Sequence, residues 1–146
     1  MKPALALFAM LVTWIPVCGQ QAAPPPPKIL GMGVEILSDT QGVDFTPYIR
    51  KLVATLGHKA EAVMPEAARM GETGILYTTF QINPNGSLGT SDPLLERKSG
   101  KQDLDDNAIT AIHSSSPFDP LPSQFHGPYL KLRVIFMYNR VQLHAR

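Results

Sequence analysis

The sequence predicts an α+β fold in which two helices cover one face of a three-stranded antiparallel sheet. Two segments repeat apolar residues at spacings of three and four, which is typical of helices with one buried face. Two other segments alternate apolar and polar residues, and the first of these ends in the turn sequence NPNG. The order helix, hairpin, helix, strand allows the last strand to join the hairpin and both helices to cover one face, a two-layer arrangement.

The first helix is predicted to begin at Thr46, a good N-cap residue, with Pro47 at the first helical position. A short helical turn follows at residues 66–70. The second helix is predicted to begin at Asp103, with Asp105 and Asp106 placed favourably in its first turn. The predicted buried face of the first helix consists of Ile49, Leu52, Val53, Leu56, Ala60 and Val63, and that of the second consists of Leu104, Ala108, Ala111 and Ile112.

The predicted hairpin begins with a strand that ends at Ile82, turns at Asn85-Gly86 and returns over residues 87–95. The last strand is predicted over residues 129–138. Its apolar face is Leu130, Leu132, Val134, Phe136 and Tyr138, and its other face is Lys131, Arg133, Ile135 and Met137. Residues 34–37 also have strand character, but we place them in a lead-in before the domain.

The amino terminus has the features of an export signal. Lys2 precedes an apolar run over residues 4–17, and small residues allow cleavage after Gly19. We therefore predict a signal peptide at 1–19, a proline-rich linker and lead-in at 20–43, a folded domain at 44–140 and a tail at 141–146. Lipidation at Cys18, or an uncleaved signal, would instead hold the protein at a membrane.

Charge and residue spacing favour no catalytic or nucleic-acid function. The formal net charge is +1, so there is no electrostatic reason to expect nucleic acid or an anionic membrane as partner. The four histidines are scattered without metal-ligand spacing. An exported hydrolase using His113 and Ser114 is the remaining catalytic interpretation, but the pair does not form a nucleophile elbow. We predict a protein that is not an enzyme and has no cofactor and no metal.

Three stretches, together covering about residues 64–139, resemble the TonB carboxy-terminal domain family. "PEAARMGETGILYTTFQINPNGSL" is similar to the family's Pro-x-x-Ala-Arg-x-x-Gly-x-x-Gly pattern, which an alternating strand and a turn follow. "SGKQDLDDNAITAI" and "PFDPLPSQFHGPYLKLRVIFMYN" resemble its second helix, its Pro-Phe-x-Pro-Leu-Pro segment and its closing strand.

The resemblance implies a periplasmic or cell-envelope protein that binds an extended segment of an outer-membrane transporter or of another envelope protein. The guest would pair with an unpaired sheet edge, which is β-augmentation. We expect that edge on the last strand, at Lys131, Arg133, Ile135 and Met137. In the family this binding supports energy-coupled transport, but the run at residues 4–17 lacks the family's motor-contacting histidine, which favours a stand-alone module.

Two further points stay open at this stage. Arg69 either ties the end of the short helical turn to the sheet through main-chain carbonyls or contacts the guest. The alternative function is a structural homodimer of the cell envelope, paired through its sheet edges, which binds no receptor.

Overall fold

The computed structural model describes residues 29–89 and 93–139 of the 146-residue chain. The predicted signal peptide, the four-proline run and the tail lie outside these residues. The elements in chain order are β1 (Leu30–Ile36), α1 (Thr46–Ala62), α2 (Glu66–Arg69), β2 (Gly74–Ile82), β3 (Leu94–Arg97), α3 (Gln102–Ser115) and β4 (Leu130–Tyr138).

The fold is α+β with an antiparallel sheet, as the sequence predicts, but the sheet has four strands in the order β1-β4-β2-β3. Strand β4 pairs along its whole length with β2, from Gly74 opposite Tyr138 to Ile82 opposite Leu130. Its other side pairs with β1, from Leu30 opposite Tyr138 to Ile36 opposite Leu132. The sheet therefore has one strand more than the three predicted, and the helical turn predicted at residues 66–70 forms the short helix α2 beside the two longer helices.

One face of the sheet carries the core. Alternate residues of β4, from Leu130 to Tyr138, are fully buried, whereas the residues between them are only half-buried. The buried set packs with Leu52, Leu56 and Ala60 of α1 and with the inner face of α3. The helices therefore cover this face, and the opposite face, here called the open face, has no helix over it in the described part of the chain.

Polar bonds join the helices to each other and to the sheet. The Asn107 amide on α3 donates to the carbonyl of Ala60 at 3.1 Å and to that of Val63 at 2.9 Å, which satisfies main-chain acceptors at the end of α1. Tyr138 Oη donates to Asn107 Oδ1 at 2.7 Å, and burial raises the pKa of this tyrosine. These bonds fix the position of α3 over the last strand.

The start of α1 differs from the prediction by one position. Phe45 rather than Thr46 occupies the cap position, and the Thr46 N–H donates to Asp44 Oδ1 at 2.9 Å. Hydrogen bonds from the side chain and the main chain of Thr46 hold the pKa of Asp44 below its usual value. The aspartate therefore supplies the capping acceptor that the sequence analysis assigned to the threonine.

The Asn-Gly turn after β2 forms as predicted, but the returning strand starts late. Gly86 has φ of 90°, and its carbonyl accepts from the Phe118 N–H at 2.8 Å. Between Gly86 and Gly89 the pairing is an isolated bridge, Ile82 to Leu88, and β3 begins at Leu94. The turn thus packs on the connection between α3 and β4.

Candidate functional site

The four residues predicted to form the binding edge lie together on the open face of β4. Strand β4 is an interior strand, because β1 pairs along one side and β2 along the other. The main-chain groups of Lys131, Arg133, Ile135 and Met137 are therefore already placed in ladders with the protein's own strands. The prediction of an unpaired β4 edge was wrong, and a guest strand cannot add there while β1 is in place.

Strand β1 was missed because glycine interrupts its pattern. Gly31 and Gly33 lie on the open face opposite Met137 and Ile135, where they add no side chain. The other set, Leu30, Met32, Val34 and Ile36, alternates regularly and faces the helices. That alternation was the available signal, and the segment predicted as a lead-in is part of the sheet.

Among residues 29–89 and 93–139, no strand pairs with the outer edge of β1. The Leu37 N–H donates to the Lys131 carbonyl at 2.8 Å, and the Asn139 N–H donates to the Ile29 carbonyl at 2.7 Å. Alternate residues of an antiparallel strand bond to one neighbour, and the residues between them direct N–H and C=O to the other side. Met32, Val34 and Ile36 therefore point their main-chain groups outward, and no hydrogen bond within residues 29–89 and 93–139 reaches them.

An open groove of about 450 Å³ lies beside this edge, on the helix side of the sheet. Val34 and Ile36 form one wall. The other wall comes from the β1–α1 connection and the first turns of α1. Its lining residues are Thr40, Val43, Phe45, Thr46, Ile49 and Arg50. The groove is therefore mostly apolar, with one cation on its wall.

Several contacts hold in place the β1–α1 connection, which forms the wall of the groove opposite Val34 and Ile36. The Val43 N–H donates to the Thr40 carbonyl at 2.9 Å. The Gln41 side chain accepts from the His126 N–H at 3.0 Å. Phe45 is buried and packs edge-on against Phe125, with ring centroids 5.3 Å apart. These contacts hold the β1–α1 connection, and with it this wall of the groove, against the rest of the protein.

A row of charges crosses the open face and ends at the β1 edge. Arg133 donates from Nη1 to Glu35 Oε2 and from Nε to Glu96 Oε2, both at 2.8 Å. The hydrogen bond from Arg133 holds the pKa of Glu96 below its usual value. Arg133 lies on β4, and its guanidinium joins Glu35 of β1 on one side to Glu96 of β3 on the other. In this structure its charge is therefore paired within the protein.

Arg69 does not tie the end of α2 to the sheet. The residue is exposed, and no side-chain hydrogen bond or ion pair of Arg69 occurs within the described ranges. Asn139 makes that link instead, donating from Nδ2 to the Ala68 carbonyl at 2.7 Å and to the Glu72 carbonyl at 2.8 Å. Sequence reasoning missed Asn139 because a single asparagine after a strand resembles an ordinary turn residue.

The other border of the sheet offers a guest much less. Strand β3 has four residues and a register shift opposite Tyr77 and Thr78. Pro93 directly precedes it and cannot donate to a ladder. A short, irregular edge next to proline is a poor template for strand pairing, so β1 carries the usable edge.

Side chains with metal or catalytic chemistry do not converge. Within residues 29–89 and 93–139, no group of three His, Cys, Asp or Glu residues is placed to hold a metal ion. His58, His113 and His126 are all exposed and lie on different elements or connections. Among the described helices, none combines the length and apolar character needed to cross a membrane.

Comparison of the chain with protein-family models, with curated proteins and with solved structures finds no match.

Proposed function

We propose that the protein is a peptide-binding module of the TonB carboxy-terminal type, in which the guest pairs with β1. The observation that carries the proposal is the outer edge of β1, with which no strand of residues 29–89 and 93–139 pairs and which lies beside an open, mostly apolar groove. An extended guest gains main-chain hydrogen bonds from such an edge, and alternate side chains gain pockets. The resemblance of residues 64–139 to the family supports the class of function. The binding edge is proposed on β1, and not on β4 as the sequence analysis predicted.

The guest is an extended segment of another envelope protein, such as an outer-membrane transporter, and the protein acts after export. The export part of the proposal is supported by the charged start, the apolar run and the small residues before position 20. In this proposal the module acts by binding alone, without catalysis.

The decisive experiment uses the outward direction of the Val34 N–H. Its N–H points outward, away from β4, so Val34→Pro removes a donor that only a guest would use and places the ring where the guest would lie. The β1–β4 ladder keeps all of its bonds. We expect Val34→Pro to abolish binding of a peptide that shifts the amide resonances of Met32, Val34 and Ile36 in the wild-type protein.

The probe is the seven-residue peptide acetyl-Thr-Ser-Val-Lys-Val-Ser-Thr-amide, titrated into the isotope-labelled protein. Val34→Ala is the matched control, because it shortens the same side chain but keeps the N–H. It should weaken binding without abolishing it. Circular dichroism must show that both variants stay folded. Shifts confined to β3 or to the helices, or equal binding by the proline variant, would overturn the proposal.

The alternative, a structural homodimer, makes use of the same edge. Pairing of β1 with β1 of a second copy would occupy the edge that a guest would use. Sedimentation of the wild-type protein separates the two cases: a dimer that becomes monomeric on Val34→Pro supports the homodimer, and a monomer supports peptide binding.

A further inference from the structure

The pleat of β1 determines which face of the sheet each guest side chain meets. Neighbouring strands keep their alternation in phase, so the guest residues opposite Val34 and Ile36 point to the helix side. The guest residue between them lies on the open face, opposite Glu35. This assignment depends only on register and holds for either direction of the guest strand.

The two helix-side positions of the guest meet the apolar groove. Val34 and Ile36 are only partly buried in the protein alone. Val43, Phe45 and Ile49 face them across the groove. Apolar guest side chains at these two positions would complete a cluster that is open on one side, whereas polar side chains would lose water without finding partners. Arg50 on the same wall disfavours a cation at either position.

The intervening position meets a carboxylate at the end of the charge row. Along the row the order is Glu96, Arg133, Glu35, so the sign alternates from β3 to β1 and ends with a negative charge. The Glu35 side chain is 56% exposed, which leaves it accessible from the outer side of β1. Opposite charges on directly facing residues of neighbouring strands attract, and like charges repel.

We propose that the guest segment carries an apolar–basic–apolar triplet, with its basic residue beside Glu35 and its two apolar residues in the groove. This inference rests on the proposed function, since it needs a guest on the β1 edge. It adds the chemistry of the partner. Glu35 favours a positive charge on the central residue of the guest, and the groove favours apolar residues on both sides of it.

The test compares two peptides that differ only at the centre, acetyl-Thr-Ser-Val-Lys-Val-Ser-Thr-amide and the same peptide with Glu in place of Lys. For the wild-type protein we expect the lysine peptide to bind about fivefold more tightly, since its ammonium group attracts the Glu35 carboxylate and the carboxylate of the glutamate peptide repels it. Glu35→Lys should reverse the preference, and Glu35→Gln, a milder change, should remove it.

Asp106→Lys is the matched control, because it makes the same charge change at an exposed position on α3 that lies beside Leu95 of β3, at the opposite border of the sheet from β1. It should keep the wild-type preference. Equal binding of both peptides at the β1 edge would overturn the triplet but leave the proposed function standing. If neither peptide shifts the amides of β1, the proposed function itself is wrong.

Discussion

At the scale of single residues, the structure uses glycines at positions where any other residue would be strained. Gly86 is the clearest case. Its φ is 90°, and a Cβ added there would lie 2.0 Å from the Phe118 carbonyl oxygen. Gly42 also has positive φ, 75°, but a Cβ there meets nothing within 4 Å. Replacing each of these two glycines by alanine therefore separates two destabilising effects: the backbone strain of a positive φ, present at both positions, and the steric clash, present only at Gly86.

We expect Gly86→Ala to lower the free energy of unfolding by about 3 kcal/mol or more, and Gly42→Ala by about 1–2 kcal/mol. The first variant must move the Phe118 main chain or break its bond to the turn, whereas the second is strained only in its own backbone. Urea denaturation of both variants measures the difference. Equal losses would show that the turn does not pack on the α3–β4 connection.

The same scale shows what a sequence can and cannot reveal about polar contacts. The Asn-Gly turn was predictable because its chemistry is local: only φ at Gly86 and the loop length matter. The links made by Asn107 and Asn139 were not, because each joins residues more than 40 positions apart in the chain. Arg69 was one candidate for that link because of its sequence neighbours, and only the fold shows that Asn139 bonds the carbonyls of Ala68 and Glu72.

At the scale of elements, prediction succeeded where the pattern was long and uninterrupted. Strand β4 was expected over residues 129–138 and spans Leu130–Tyr138, and α1 was expected with Thr46 as its cap and spans Thr46–Ala62, one position earlier. Strand β1 failed because two of its seven residues are glycines, which lower strand propensity. Missing this one strand placed the vacant edge on β4, so the error in the fold became an error in the site.

The bridge between β1, β4 and β3 makes a prediction about pH. The pKa of Glu96 is lowered from 4.5 by its bond to Arg133, so the bridge stabilises the fold fully above pH 4.5. The contribution disappears as the pH falls through the lowered pKa. The melting temperature of wild type should therefore exceed that of Glu96→Gln at neutral pH, and the gap should close in acid.

Salt supplies the control for this measurement. The bridge is exposed, so about 1 M salt should narrow the gap at neutral pH by screening. A gap that stays constant from neutral pH to well below pH 4.5 would show that Glu96 acts through packing and not through its charge.

At the scale of the whole molecule, the proposed role requires export. We expect the protein recovered from cells that produce the full chain to begin at Gln20, since cleavage after Gly19 fits the small residues at the end of the signal. Mass spectrometry of the intact protein measures this directly. A mass that includes a lipid on Cys18 would indicate membrane attachment, and an intact Met1 would contradict export by a cleaved signal.

The pairing of Ile29 with Asn139 has a mechanical consequence. These residues lie side by side at one end of the β1–β4 ladder, so tension between the two ends of the domain would act across that end alone. The ladder bonds run perpendicular to the strands and would break one after another, as in a zipper, and not all together. Pulling on both ends would thus peel β1, with any strand attached to it, away from the rest of the sheet at low force.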